Sequence, residues 1–377
     1  MVPGSRRPRV LFVGSSDLDL PLPPPLAKKW DAVARELDVR VIGREHAIRA
    51  ADPRFRRVPV APRPLRGVSY WAGLPAVVAD ELRRFRPEAI ITKSPYEAFA
   101  LLPVWRLARP RPKLLVDLHG DWRTAPRLYG SRLRRLAARL TDRAALLALR
   151  RADGTRAISA YTASLAGNAT GRRPIGVFPA YFDLESFTSE PPRPLPERPA
   201  VAWIGVLQRY KDPRVMADAW RRVAGRSTGS RLIVVGRGPL KPIVDELARE
   251  FPSRVSAIPE LSPPEVAKLL DQSTLLAMSS ASEGLGRVIM EAFSRGRPVV
   301  GTAVGGIPDL VTHGRNGLLV PARDPEALAD ALVRVLEDRE LAEQLARGAR
   351  EDGEQLRWTP ERYAEVLRRF VDSALTV

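Results

Sequence analysis

The sequence predicts an α/β protein of two domains, each built on a parallel β-sheet, and three observations lead to that prediction. Short apolar segments alternate with longer amphipathic helices, which is the pattern of parallel α/β units. A chain of 377 residues is long for a single hydrophobic core. Five prolines within residues 190–199 exclude a helix or a sheet there, so we expect a stiff, extended connector between the domains.

The strands are predicted from the apolar runs on either side of this connector. The first half contains Arg9–Val13, Val39–Ile42, Ala89–Thr92 and Lys113–Leu118, and the second half contains Ala200–Gly205, Arg231–Val235, Leu275–Met278, Arg297–Gly301 and Gly317–Val320. The chain ends in a predicted helix with Thr359 as its N-cap and Pro360 as its first residue. Its apolar residues recur at helical spacing and need a surface to pack on; they are Tyr363, Val366, Leu367 and Phe370.

The composition excludes several kinds of protein. There is no cysteine, which excludes disulfides, thiol catalysis and thiolate metal sites. No run approaches the roughly 18 apolar residues of a membrane span. The basic N-terminus leads into only about five apolar residues, too few for a secretory signal. We therefore expect a cytoplasmic protein.

The positive charge is concentrated in the first half, where residues 1–190 carry +16 of the total net charge of +18. Such a field attracts anionic partners, namely phosphorylated acceptors, acidic lipid headgroups or nucleic acid. Residues 131–151 form a predicted basic amphipathic helix, which fits either a peripheral membrane contact or a core-facing helix with a solvated arginine flank. Its apolar stripe is Leu133, Leu136, Leu140 and Leu147, and its basic stripe is Arg132, Arg135, Arg139, Arg143 and Arg150.

The strongest candidate site begins at Glu283. A predicted strand leads into a Ser/Gly loop, and a helix is expected to start near Arg287. Gly284 and Gly286 let the backbone approach a ligand closely, and the free N–H groups at the start of the helix suit an anion. Glu283 before the helix and Glu291 one turn inside it can both accept hydrogen bonds from ligand hydroxyls.

This segment resembles the donor-binding motif of the family 4 retaining glycosyltransferases, which have the GT-B fold. That motif is a glutamate, seven residues, a second glutamate and a glycine-rich turn after the next strand, here residues 301–309. Residues 313–320 match a further turn of the same family. The resemblance is close over residues 200–320 and loose in the N-terminal half.

The resemblance implies two Rossmann-like domains that face each other across a cleft. Residues 1–190 would bind the acceptor and residues 198–357 the nucleotide sugar, while the C-terminal helix, 358–377, would pack back on the first domain. The implied reaction transfers a sugar, with retention of configuration, from a nucleoside-diphosphate sugar. The acceptor would be a hydroxyl of a glycan, a glycolipid or a phosphorylated small molecule.

The resemblance also assigns roles to residues of the donor site. Glu283 would bind hydroxyls of the donor sugar and Glu291 those of the ribose, while backbone N–H groups of the loop and helix would meet the sugar and the diphosphate. Arg287 occupies a position that is usually apolar in the family, so it either contacts phosphate or points to solvent. The predicted donor-binding residues are Gly14, Gly205, Gly236, Arg237, Gly284, Leu285, Gly286, Arg287, Val288 and Glu291.

The predicted catalytic residues are His119, Arg209, Lys211 and Glu283. Lys211 stands where the family carries its phosphate-binding lysine, and a fixed cation stabilises the charge that develops on a leaving diphosphate. Arg209 is expected to replace the family arginine that follows Gly205, because this chain has Val206 there. His119 follows a predicted strand, where open α/β sheets bind ligands, and matches a His-Gly of the family.

Three glycine or acidic motifs have more limited meanings. Gly14 follows the first strand, where the family often has two glycines near phosphate. The turn at Gly236-Arg237-Gly238 lacks the third glycine of a dinucleotide fingerprint, so NAD binding is not predicted. Asp17-Leu18-Asp19 spells the D-x-D of metal-dependent transferases of another fold, but its proline-rich surroundings favour a loop. With three histidines and no cysteine, neither a metal site nor a cofactor is predicted.

Other functions remain open at this stage. A GT-B-fold nucleotide-sugar epimerase or phosphorylase would share the architecture, and a catalytically inactive binding subunit would share the site. The charge alone also fits a nucleic-acid-binding protein, although no such module is recognisable and the basic half has few interleaved aromatic residues. The two glutamates in their strand–glycine–helix frame favour the transferase.

Overall fold

The computed structural model describes residues 6–62, 64–124 and 138–376, and the chain forms two compact units. One consists of Met1–Tyr181 with Trp358–Val377 and the other of Phe182–Arg357. Each contains a parallel β-sheet with helices between its strands. The predicted α/β class with parallel sheets is therefore confirmed.

The first unit is built on a parallel sheet with the strand order β3-β2-β1-β4-β5-β6-β7. Within the described residues, its strands are β1 (Arg9–Leu20), β2 (Asp38–Ile48), β3 (Phe55–Val58), β4 (Ala89–Thr92), β5 (Lys113–Leu118), β6 (Gly154–Ala157) and β7 (Gly176–Val177). Its helices are α1 (Pro24–Glu36), α2 (Arg66–Arg84), α3 (Pro95–Leu107), α4 (Ala138–Arg151) and α5 (Ala160–Thr170). Both faces of the sheet are buried, as a parallel sheet requires.

The second unit has a six-stranded parallel sheet with the order β10-β9-β8-β11-β12-β13. The strands are β8 (Ala200–Ile204), β9 (Arg231–Val235), β10 (Val255–Ile258), β11 (Leu275–Met278), β12 (Val299–Thr302) and β13 (Gly317–Val320). The helices are α6 (Glu185–Thr188), α7 (Pro213–Arg226), α8 (Lys241–Glu250), α9 (Pro263–Asp271), α10 (Arg287–Ser294), α11 (Pro325–Glu337) and α12 (Arg339–Gln355).

The C-terminal helix, α13 (Pro360–Thr376), belongs to the first unit. Thr359 caps it as predicted, since its hydroxyl accepts a hydrogen bond from Arg362 N at 3.1 Å. Tyr363, Leu367 and Phe370 are buried against the face of the first sheet that α1 also covers. The apolar stripe of the last helix therefore has its packing partner within this unit.

The proline-rich segment is not a free connector, because it is docked on the second unit. The boundary between the units falls after Tyr181, so residues 182–190 lie outside the first domain to which the sequence assigned them. Arg295 Nη1 donates to the carbonyls of Phe187 at 3.2 Å and Glu190 at 2.7 Å. Asp271 neutralises this buried arginine through an ion pair of 2.6 Å. Arg297 Nη2 likewise donates to the carbonyl of Arg193 at 2.6 Å, so arginine side chains satisfy backbone carbonyls of this segment.

The prediction of a loop at Asp17-Leu18-Asp19 is wrong, since these residues lie within β1. Leu18 and Leu20 alternate into the core, and that period continues the strand. The two carboxylates are occupied by protein partners. Asp17 pairs with Arg44 and Arg66, both at 3.0 Å, and Asp19 Oδ1 lies 2.6 Å from His46 Nδ1.

The basic helix predicted for residues 131–151 is described from Ala138 onward as α4; Arg132, Leu133, Arg135 and Leu136 lie outside the described residues. The buried face of α4 consists of Ala138, Ala145, Ala148 and Leu149. Leu140 and Leu147 of the predicted apolar stripe are instead 68% and 42% exposed. None of the described helices is both long and apolar enough to cross a membrane.

Candidate active site

Four turns meet at the carboxyl edge of the second sheet, after β8, β9, β11 and β12. They pack so closely that glycine is required at the contacts. A Cβ at Gly236 would overlap the carbonyl oxygen of Gly205, and a Cβ at Gly305 would overlap that of Glu283. Gly306 N donates to the same Glu283 carbonyl at 3.0 Å. The glycine motifs therefore hold the Glu283 loop in place.

Lys211 and Glu283, 72 residues apart in sequence, form an ion pair between Nζ and Oε2. Their side chains are only 13% and 15% exposed. The stem of Lys211 lies along Gly205, and its ammonium is 5.7 Å from the centre of the Tyr210 ring. Burial raises the pKa of Tyr210, and the Glu283 carboxylate adds to that effect. The structure therefore brings two of the predicted catalytic residues into direct contact.

Ser279, which the sequence analysis did not single out, positions the Lys211 loop. Its hydroxyl lies 2.8 Å from the carbonyl oxygen of Lys211 and 3.0 Å from that of Asp212. It also accepts a hydrogen bond from Trp203 Nε1 at 3.1 Å. Asp212 has a φ of 47° and caps α7 with its side chain. The sequence offered one signal for this role, which is that a serine directly follows the predicted strand Leu275–Met278.

The helix α10 begins at Arg287, where the sequence predicted it. Gly286 precedes it with a φ of 89° and provides no side-chain cap, so the first N–H groups of the helix are available to a ligand. The side chains of Leu285 and Val288 are buried, so these residues can contact a ligand only through their backbone. Gly284 lies in the same loop.

Arg287 binds Glu291 within the same helix, with Nε 2.7 Å from Oε1. The Arg287 side chain is 51% exposed, whereas that of Glu291 is only 9% exposed. Burial raises the pKa of Glu291, and the charge of Arg287 opposes this effect. Arg287 therefore holds Glu291, the carboxylate expected to bind the ribose, in an ion pair. The sequence left open whether Arg287 contacts phosphate or points to solvent, and in the structure its half-exposed side chain is bound to Glu291.

The other two predicted cations of the second unit lie at the surface. Arg209 is exposed and forms no ion pair with a described residue. Arg237 pairs with Glu260 at 3.1 Å, and both side chains are largely exposed. Their roles in donor binding stay predictions.

In the first unit, His119 directly follows β5, and its Nε2 lies 2.9 Å from Asp117 Oδ2. The same oxygen accepts a hydrogen bond from Arg156 Nη1 at 2.6 Å. Burial opposes ionisation of Asp117, but Arg156 and His119 together hold its pKa well below the usual range. Asp117 therefore stays a carboxylate that orients Arg156 and His119, and the His119 side chain remains 41% exposed.

Two lysines accompany His119 at the carboxyl edge of the first sheet. A Cβ at Gly14 would lie 2.7 Å from Lys93 Cδ, so this glycine gives Lys93 its room beside β1. Lys29, on α1, has its ammonium 5.2 Å from the centre of the Tyr363 ring. The sequence analysis missed both lysines and Arg156. Their signal was modest: lysine is rare among the 61 basic residues, and Lys93 directly follows a strand.

No group of three or more histidine, aspartate or glutamate side chains that could hold a metal ion occurs in the part of the chain that the structure describes. The carboxylates of Glu283, Glu291 and Asp117 are instead paired with lysine, arginine or histidine side chains.

Two family models match the chain, one on each compact unit. The model described as Glycosyl transferase 4-like domain matches residues 26–180, and the model described as Glycosyl transferases group 1 matches residues 198–338. Among curated relatives, the D-inositol 3-phosphate glycosyltransferase of Corynebacterium urealyticum is 33% identical over 179 residues, which are 45% of this chain and 42% of the relative. The chain thus spans less than half the length of the curated relatives it matches.

Two solved structures resemble the whole chain. Sucrose-phosphate synthase from Thermosynechococcus elongatus has a TM-score of 0.76 at 18% identity, covering 96% of this chain and 99% of the other. Anabaena HepE in complex with UDP-glucose has a TM-score of 0.68 at 19% identity, covering 98% and 100%. These likenesses define the class of the protein as an α/β protein with the GT-B fold. With a family match on each unit, the chain belongs to the group 1 glycosyl transferases.

Proposed function

We propose that the chain is a glycosyltransferase that moves a sugar from a nucleoside-diphosphate sugar to an acceptor hydroxyl. The observation that carries the proposal is the partly buried Lys211–Glu283 pair in its frame of glycine turns. The uncapped start of α10 adds backbone donors beside it. The names of the relatives, which include glycosyltransferases and a complex with UDP-glucose, support the same function.

The donor is proposed to bind to the second unit. Glu283 accepts hydrogen bonds from sugar hydroxyls, Lys211 and the N–H groups of Arg287 and Val288 contact the diphosphate, and Glu291 accepts from the ribose. Lys211 and the positive end of α10 neutralise the leaving group, so we propose a reaction without a metal ion. The flanking glycines of the four turns allow the backbone to approach the donor.

The reaction breaks the bond between the anomeric carbon and the diphosphate oxygen and forms one to the acceptor oxygen. The acceptor proton passes to the leaving diphosphate, so charge and atoms balance. Retention of configuration is proposed from the family resemblance and requires attack on the face that the diphosphate leaves. His119, on the first unit, is proposed to contact the acceptor and the reacting carbon.

The protein is proposed to act in the cytoplasm, with its first unit in peripheral contact with the inner face of the membrane. The excess of positive charge in residues 1–190 supports an anionic surface as partner. The exposed leucines of α4, Leu140 and Leu147, supply apolar contacts next to arginines. A glycan, a lipid-linked sugar or a phosphorylated small molecule fits this surface as acceptor.

A panel of UDP-, GDP- and ADP-sugars tests the donor class. We expect the sugar donors of one nucleotide base to raise the melting temperature of the protein, because a ligand at 100 times its Kd adds about 2.7 kcal/mol to the free energy of unfolding. The same donor should be hydrolysed slowly to free sugar and nucleoside diphosphate. If no donor stabilises the protein or is hydrolysed, the proposal fails. An epimerised donor found after incubation without acceptor would identify the rival epimerase.

A further inference from the structure

We propose that the first unit binds a phosphate group of the acceptor between Lys29 and Lys93, in the field of Arg156. These three residues are called the cationic cluster below. The inference rests on the proposed transferase function, because it assigns the anionic group of that reaction's acceptor. It goes further by naming the chemical class of that group and the side chains that bind it.

The cationic cluster lies where an open parallel sheet binds its ligands. The strand order of the first sheet reverses between β1 and β4, and ligands bind outside the carboxyl ends of the strands at such a switch point. Lys93 directly follows β4 and packs beside Gly14 of β1. Lys29 lies on α1, the helix that follows β1, and Arg156 lies in β6. Three elements thus bring cations to one edge of the sheet.

The cluster contains more positive charge than its neighbours neutralise. Asp117 is the carboxylate that acts on both lysines, but its Oδ2 already binds Arg156 and His119. Glu97 acts on Lys93 as well, but its two carboxylate oxygens accept hydrogen bonds from Ser15 N, at 3.1 Å, and from the Ser94 hydroxyl. The Lys29 ammonium faces aromatic rings, 4.8 Å from that of Trp30 and 5.2 Å from that of Tyr363. Among the residues that the structure describes, the Lys93 ammonium donates only to the Ser16 hydroxyl, at 3.3 Å. Neither lysine forms an ion pair with a described carboxylate.

Burial and neighbouring positive charges lower the pKa values of both lysines. The pKa of Lys29 is lowered to about 8, mainly by burial and to a smaller extent by the charge of Arg156. The pKa of Lys93 is lowered by burial and then by Lys29 itself. The two ammonium groups therefore repel each other. An anion bound between them would relieve that repulsion and raise both pKa values.

The charge of the ligand follows from the number of ammonium groups without an ion pair. A phosphate monoester carries about −1.5 to −2 at pH 7 and presents three acceptor oxygens. Lys29 and Lys93 together supply two charges and several donors, whereas the buried Arg156 is already bound to Asp117 and to the carbonyls of Phe178 and Pro179. A phosphate monoester matches this pair better than a singly charged carboxylate does.

The test uses inorganic phosphate as the probe and the full chain saturated with UDP, so that the donor site is filled. Calorimetric titration should show phosphate binding to the wild type. Lys29→Met and Lys93→Met should each weaken it about tenfold or more, because each removes a charge-assisted hydrogen bond. Lys28→Met is the matched control, since it removes the same charge from an exposed position one residue earlier on α1. UDP affinity should be unchanged in all three variants.

Phosphate binding that is absent in the wild type, or equal in Lys29→Met, Lys93→Met and Lys28→Met, would overturn the proposal. Failure of the proposed transferase function is a separate outcome, in which the wild type itself does not bind UDP. Two competitors then distinguish the sources of the phosphate. Displacement by glucose 6-phosphate indicates a soluble sugar phosphate, and displacement by phosphatidic acid vesicles, but not by phosphatidylcholine vesicles, indicates a lipid headgroup. Displacement by neither would contradict the assignment to an acceptor.

Discussion

Replacing Lys211 with methionine is expected to lower kcat by about 10²–10³-fold with the donor that the panel identifies. That range is typical when one fixed group that stabilises transition-state charge is removed. Methionine preserves much of the side-chain length beside Gly205 but cannot neutralise the leaving diphosphate. Steady-state rates of nucleoside diphosphate release measure the effect. Arg214→Met is the control, because it removes an exposed cation three residues away, at the start of α7.

A second variant separates the chemistry of Lys211 from its structural role. Lys211→Met alone leaves the partly buried Glu283 carboxylate without its partner, which should destabilise the protein. Combining it with Glu283→Gln removes that unpaired charge, so we expect the free energy of unfolding to recover while kcat stays low. If the double variant regained activity together with stability, or if Lys211→Met retained activity within about fivefold of the wild type, Lys211 would not stabilise the leaving group.

Gly305→Ala is expected to lower activity by at least about 100-fold, because it moves the Glu283 loop. Gly305 has a φ of 58°, and a Cβ there would overlap the backbone carbonyl of Glu283. A displacement of about 1 Å in a catalytic group costs about this factor. The free energy of unfolding should also fall by about 1–3 kcal/mol from overpacking, in addition to about 1–2 kcal/mol for a left-handed alanine.

Gly314→Ala provides the matched control for this prediction. Gly314 also has a positive φ, 78°, but no atom would lie within 4 Å of an added Cβ. It should therefore lose only the backbone contribution to stability and keep its activity. Denaturant unfolding and initial rates, measured on both variants, separate backbone strain from displacement of the site. Equal losses of activity in the two variants would contradict a positioning role for the turn at Gly305.

The sequence predicted the regular parts of the fold because they repeat a simple pattern. Apolar strands such as Ala89–Thr92 and Leu275–Met278 occur as predicted, with every residue buried. The four missed strands are short or polar: β3 has two arginines at its centre, β6 contains a glycine and an arginine, β7 has only two residues, and β10 has four with its central two exposed. Such segments are strands because the sheet supplies their hydrogen bonds, and periodicity within the segment does not reveal that.

The candidate site could be predicted in its residue types but not in its pairings. Glu283 and the start of α10 follow from a local strand–glycine–helix pattern. The contact of Glu283 with Lys211 depends on two turns brought together by the neighbouring strands β8 and β11. The cationic cluster could not be predicted from the sequence, because Lys29, Lys93 and Arg156 come from three elements that are distant in the chain. Docking of the proline-rich segment likewise depends on Arg295 and Arg297, each more than 100 residues from the carbonyl of this segment that it binds.

Hydrogen–deuterium exchange with UDP tests the central claim most directly, because it reports where the nucleotide binds. The site described above predicts slower exchange at the backbone N–H groups of residues 284–288, at the start of α10, and in the turns at 205–211 and 303–307. Protection should be lost in Lys211→Met at a UDP concentration that saturates the wild type. Protection confined to the first unit, or no protection in the loop from Gly284 to Val288, would contradict a donor site on the second unit.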